Sequence, residues 1–77
     1  MIVLGIDPSS TSTGYGILEC RRRRYRYLAC GCIRPRRGEA LEDRLVLLYD
    51  RLGAIIAEHG PEAAAIERTF VGRDAAA

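Results

Sequence analysis

The 77-residue sequence predicts a small α/β domain built on a mixed sheet: three antiparallel strands, a crossover helix and a fourth strand parallel to the first. Three observations carry that reading. Residues 1–7 form a near-continuous apolar run, the pattern of a central strand buried on both faces. The hydrophobic period changes from two to three and four residues over 40–59, which marks a helix. A short apolar run returns at 63–67, and a strand–helix–strand order is the crossover that sets two strands parallel in one sheet.

The elements follow in order. Met1 to Asp7 is the first strand, closed by Pro8 and a Ser/Thr/Gly-rich turn. Gly14 to Cys20 and Tyr25 to Arg34 are rich in β-formers and flank a run of arginines, so they read as antiparallel strands joined by a short turn. In the next segment Leu41, Leu45, Leu48, Tyr49, Leu52, Ile55 and Ile56 share one face of an amphipathic helix. Glu39, Glu42 and Asp43 suit its positive N-terminal end, and Gly60-Pro61 stops it. His59, the single histidine, belongs at the carbonyl pole of this helix rather than to a catalytic base. After Ala63 to Glu67 come a glycine turn and Asp74-Ala-Ala-Ala, the start of a second helix. Residues 1–77 thus read as a single domain, incomplete at its C-terminus, and a chain of this size buries only about 60% of its unfolded surface.

Composition narrows the class. With 48% hydrophobic and 29% charged residues the chain has the make-up of a globular protein, and no apolar run approaches the roughly 20 residues of a membrane span. The first apolar run lacks a basic leader, so a cytoplasmic location and no membrane association are expected. All 12 basic residues are arginine, yet the net charge of +2 is too small to argue for nucleic acid by itself. The distribution says more: Arg21, Arg22, Arg23, Arg24 and Arg26 cluster, as do Arg34, Arg36 and Arg37. The first cluster is either a solvated turn or a phosphate-contacting patch. Cys20, Cys30 and Cys32 form an odd set, which argues for reduced thiols, and a C-x-C pair without matching histidines is better explained by strand packing than by metal.

The two apolar runs that end on acids hold the functional signal. If the 63–67 strand lies parallel to the first, Asp7 and Glu67 stand side by side at the carboxyl ends of adjacent strands, where open α/β sheets place their ligands. Two carboxylates so close repel unless a cation or a proton lies between them, and oxygen ligands select Mg²⁺ or Mn²⁺. Acids also end strands and begin turns for purely structural reasons. The matching Ala-Ile-Glu67 after the right crossover favours a site.

The opening I-x-L-G-I-D-P-x-S-x-x-T-G-Y-G, the later A-I-E-x-x-F and the helix between them resemble the N-terminal part of the RuvC-type Holliday junction resolvases of the ribonuclease H-like superfamily. The likeness runs from Met1 to Asp74. It implies a ribonuclease H-like sheet flanked by helices, a homodimer, a metal-dependent endonuclease that cuts four-way DNA junctions, and work alongside a branch-migration helicase complex. It also implies four acidic positions (the last sometimes a histidine) that bind two Mg²⁺ ions, with Mn²⁺ as a substitute. The first and second of these positions fall on Asp7 and Glu67, as catalytic and metal-binding residues. The aromatic at the DNA-facing end falls on Phe70, with Arg68 and Arg73 beside it as further DNA contacts.

Two departures from the family pattern stand out. Ser9 occupies the position after Asp-Pro where glycine is usual, so an altered turn is expected there. The last two acidic positions lie beyond residue 77, and neither Glu62 nor Asp74 matches their motif, so this chain carries half of the active site and is expected to be inactive alone. Two other functions compete: a phosphate-cradling half-domain of an actin-like or sugar-kinase ATPase, against which Ile66-Glu67-Arg68-Thr69-Phe70 argues, and a non-catalytic remnant that binds DNA or a partner chain.

Overall fold

The computed structural model describes residues 1–9 and 11–67. Along them run β1 (Ile2–Pro8), β2 (Thr13–Arg21), β3 (Arg24–Ile33), α1 (Leu41–His59) and β4 (Ala63–Ile66). The sheet order is β3-β2-β1-β4, with β1–β2 and β2–β3 antiparallel and β1–β4 parallel. The predicted meander, crossover helix and parallel return strand are all present, with element ends shifted by about one residue.

Side-chain alternation divides the sheet into two unlike faces. Ile2, Leu4 and Ile6 of β1 share a face with Ile17 of β2 and Ile33 of β3, and α1 lays Leu48, Leu52 and Ile55 across them. The buried centre is Leu4, Ile17, Ile33 and Ile55, each contributing about 1.5–3 kcal/mol by burial. On this face Tyr15 lies across Gly31, its register partner, and a Cβ at Gly31 would come within 2.7 Å of the Tyr15 Oη. The opposite face presents Val3, Gly5 and Asp7 beside Leu18, Gly16 and Gly14. Among the described residues no element covers it. The first strand is therefore central in the sheet, as its apolar run predicts, but packed on one face.

The helix differs from expectation in the same way. Leu48, Leu52 and Ile55 face the core, whereas Leu41, Leu45, Tyr49 and Ile56 are exposed. A helix on a sheet touches it along a narrow line, so a wide apolar stripe is only half used. Its N-cap, Ala40, makes no side-chain cap hydrogen bond, while Glu42 and Asp43 occupy the first turn. Gly60 ends the helix in the left-handed conformation (φ 59°) and donates its N–H to the Ile56 carbonyl at 2.8 Å.

Between β2 and β3 the ladder ends on the pair Arg21–Arg24, so Arg22 and Arg23 form a two-residue turn, and both have positive φ (48° and 68°). That handedness suits the strand twist, but Asn-Gly is the usual occupant, and each arginine there carries about 1 kcal/mol of strain. The short edge strand β4 is exposed along its length, and its anchoring is polar. The Glu62 N–H donates to the Ile2 carbonyl at 2.8 Å, and the Ile2 N–H donates to the Glu62 Oε1 at 3.1 Å.

Candidate active site

Asp7 stands one residue before the end of β1, on the uncovered face, opposite Gly14 of β2. Its exposure follows from its position, because the apolar residues on either side of it, Ile6 and Pro8, turn to the other face. The β1–β4 register Ile6↔Ile66 is carried one step further by the Glu67 N–H, which donates to the Ile6 carbonyl at 3.1 Å. Glu67 is thereby set beside Asp7, on neighbouring parallel strands whose backbones lie about 4.8 Å apart. Both carboxylates are exposed and line one open groove of about 890 Å³, floored by Gly5, Gly14, Gly16 and Ala65.

The small residues keep the floor low. A Cβ at Gly5, Gly14 or Gly16 would meet nothing closer than 3.8 Å, so their absence is not forced by packing within the described residues. Bulk is missing where a ligand would approach the acids.

Downstream of Asp7 the turn is ordered by the side chain of Ser9, the residue that departs from the family pattern. The Ser9 Oγ donates to the Ser12 carbonyl at 2.6 Å and accepts from the Ser12 N–H at 3.1 Å, while the Ser9 N–H also donates to the Ser12 carbonyl at 2.8 Å. A serine that closes the turn on itself replaces the flexibility of glycine with a specific hydrogen-bond set. The Ser-x-x-Ser spacing is the signal by which it could have been found. Beyond the turn Thr13 is buried against the end of β3, opposite Ile33.

Two carboxylates on one face at the ends of neighbouring strands suit a hard divalent cation such as Mg²⁺. Two are a partial donor set, and among the described residues no group of three or more His, Cys, Asp or Glu could hold a metal. Cys30 and Cys32 are free and exposed, sharing the uncovered face, and Cys20 is free and half-buried. Arg68, Phe70 and Arg73 lie outside the described residues. His59 closes α1 and lies 3.6 Å from the Glu58 carboxylate, away from the groove.

A family model described as crossover junction endodeoxyribonuclease RuvC matches residues 3–77. The chain belongs to the RuvC family. Crossover junction endodeoxyribonuclease RuvC of Prosthecochloris aestuarii is 46% identical over 74 residues, covering 96% of this chain and 40% of that protein. The relative of the same name from Rhodopseudomonas palustris is 43% identical over 75 residues, 97% of this chain and 43% of its own length. The chain thus spans about two-fifths of the curated relatives it matches. Among solved structures, Thermus thermophilus RuvC superposes with a TM-score of 0.83 at 28% identity over 95% of this chain and 46% of that one. T. thermophilus RuvC in complex with a Holliday junction substrate gives the same TM-score at 27% identity, over 95% and 47%. A member of the Ppx/GppA family from Aquifex aeolicus matches with a TM-score of 0.67 at 18% identity, over 86% of this chain and 25% of that one. That likeness shows the fold alone. The RuvC fold and its ribonuclease H-like mixed sheet are therefore those of this chain. Among the described residues no helix is long and apolar enough to cross a membrane.

Proposed function

We propose that these residues supply the first half of the catalytic centre of a metal-dependent endonuclease that resolves four-way DNA junctions in recombination and repair, with Asp7 and Glu67 as catalytic and metal-holding residues. The observation that carries the proposal is the meeting of Asp7 and Glu67 at the ends of adjacent parallel strands, above a floor of glycine and alanine. Membership of the RuvC family, and the likeness to a RuvC bound to a Holliday junction, support it.

A divalent cation between these carboxylates would supply Lewis-acid polarisation of a phosphodiester and a lowered pKa for attacking water. The chain's own residues do the positioning. Parallel pairing of β1 and β4 fixes the separation of the two acids, the Ser9 turn holds the chain leaving Asp7, and the glycine floor admits a phosphodiester backbone to the acids. A nuclease of this type uses two ions, and two carboxylates anchor one of them. The remaining length seen in the relatives supplies the other donors in this reading, and the 77 residues alone are inactive.

Phe70, with Arg68 and Arg73, is proposed as the DNA-contacting set, the aromatic stacking on a base unpaired at the junction centre. A homodimer fits the exposed stripe of Leu41, Leu45, Tyr49 and Ile56 on α1, which is apolar and has no partner among the described residues. Association with a branch-migration helicase complex rests on the family resemblance, and a cytoplasmic location is part of the same proposal.

The test is a chimera joining these residues to the remaining length of the P. aestuarii relative, assayed on a synthetic four-way junction and a linear duplex. Mg²⁺-dependent cutting of the junction is expected, with loss of at least about a hundredfold in Asp7→Asn and in Glu67→Gln. ATP hydrolysis without cutting would support the phosphate-cradling rival, and junction binding without cutting the non-catalytic one.

A further inference from the structure

Eight arginines sit on two clusters that bracket the outer strand of the sheet. Arg21, Arg22, Arg23, Arg24 and Arg26 crowd the β2–β3 hairpin at the start of β3, and Arg34, Arg36 and Arg37 occupy the loop after its end. All eight are exposed. Only Arg26 is matched in an ion pair, 3.1 Å from Glu19, among the described members of these clusters. The loop cluster is held in shape by Glu39, whose Oε1 accepts the Arg36 N–H at 3.1 Å and whose own N–H donates to the Arg36 carbonyl at 3.1 Å. Glu39 thus fixes the backbone without neutralising the guanidinium groups.

The hairpin is the more telling end. Arg22 and Arg23 hold left-handed backbone conformations that Asn-Gly would adopt with less strain. Four consecutive cations repel one another, and the fold gains nothing from them at a turn it could close more easily. Largely unpaired positive charge on a strained turn points to a polyanionic partner.

The separation of the clusters identifies the partner's period. β3 has ten residues from Arg24 to Ile33, and at about 3.3 Å per residue it spans about 30 Å. The turn at one end and the loop at the other bring the cluster centres to roughly one helical turn of B-DNA, about 34 Å. We infer that the outer edge of the sheet, β3 with an arginine cluster at either end, is a track for one turn of duplex DNA, gripped through its phosphates. The inference rests on the junction reading for which duplex this is: an arm leading away from the Asp7–Glu67 groove, which opens at the same end of the sheet as Arg34–Arg37.

Binding of this chain to fluorescently labelled DNA across about 50–200 mM NaCl tests the track. On a duplex of about 16 base pairs, Arg22→Asn with Arg23→Gly should lower the slope of log affinity against log salt by about 1.8, at about 0.9 per phosphate. This pair suits the left-handed turn, so lost binding cannot be put down to an unfolded hairpin. Arg36→Gln with Arg37→Gln should lower the slope by a similar amount. A duplex of about 8 base pairs cannot bridge the clusters, and should bind at least about tenfold more weakly than the longer one. Unchanged slopes, or equal binding of the two lengths, would overturn the track. So would preference for a single strand, which the exposed Tyr25 and Tyr27 of β3 could stack. A chimera that cuts junctions while the slopes stay unchanged sinks the track and leaves the proposed function standing. Slopes that fall as expected beside a chimera that cuts nothing do the reverse.

Discussion

Replacing Asp7 by asparagine should change stability in opposite directions with and without Mg²⁺. Asp7 and Glu67 sit on one face at the ends of strands about 4.8 Å apart, and Asp7 makes no side-chain hydrogen bond or ion pair with any described residue. Two like charges about 5 Å apart in water repel by about 0.8 kcal/mol, and salt reduces this further because both groups are exposed. With chelator present at low ionic strength, Asp7→Asn should therefore stabilise the chain by at most about 0.8 kcal/mol, a rise of roughly 3–6 °C for a domain this small. With Mg²⁺ at ten times its dissociation constant the unmodified chain gains about 1.4 kcal/mol from RT ln 11, and the variant gains little. The two melting curves should exchange order. Thermal unfolding followed by circular dichroism, in chelator and across a Mg²⁺ series at constant ionic strength, reads this directly. An equal Mg²⁺ shift in both proteins would show that the ion binds elsewhere. A loss of well over 1 kcal/mol in chelator would make Asp7 a structural residue.

Gly31→Ala should destabilise the sheet by about 1–3 kcal/mol in urea titration, because its Cβ would meet the Tyr15 ring at 2.7–3.0 Å. Gly16→Ala, with its nearest atom 4.0 Å away, should be close to neutral. Ile17→Ala, at a fully buried site, should lose about 2–5 kcal/mol, while Asp50→Ala, exposed on α1 and outside its apolar stripe, should change stability by under about 0.5 kcal/mol. Gly60→Ala should lower stability by about 1 kcal/mol through its left-handed C-cap, with the loss visible as reduced helical ellipticity on heating. Phe70→Ala, made in the chimera, should slow junction cleavage by about one to two orders of magnitude, from stacking worth roughly 1–3 kcal/mol. A fall in its unfolding midpoint on the scale of a core Phe→Ala, about 3–5 kcal/mol, would place Phe70 in the core instead.

Most of the fold and the centre of the candidate site were legible along the chain, because the signals involved are local. The switch from the apolar run of β1 to the three- and four-residue period of α1 follows from strand and helix geometry. Gly60-Pro61 stops α1 because glycine alone adopts the left-handed cap without strain. Once the crossover rule makes β1 and β4 parallel, the positions of Asp7 and Glu67 follow from counting residues in each strand. Ser9 was harder to read, since its role depends on a hydrogen bond to Ser12 that the family glycine does not make.

What the sequence could not decide is which surfaces meet. Periodicity shows that Leu45, Leu48, Tyr49 and Leu52 lie on one side of a helix, but only the docking of α1 on the sheet sends Leu48 and Leu52 inward and leaves Leu45 and Tyr49 in water. The apolar character of β1 likewise suits burial on both faces, yet α1 covers the Leu4 face and leaves the Gly5 face open, with Asp7 on it. Tyr15 and Gly31 look unrelated in sequence, and register alone makes one the lid of the other. Local periodicity fixes how side chains are distributed around each element. Burial is a property of pairs of elements far apart in the chain, so it was settled only when the crossover brought them together.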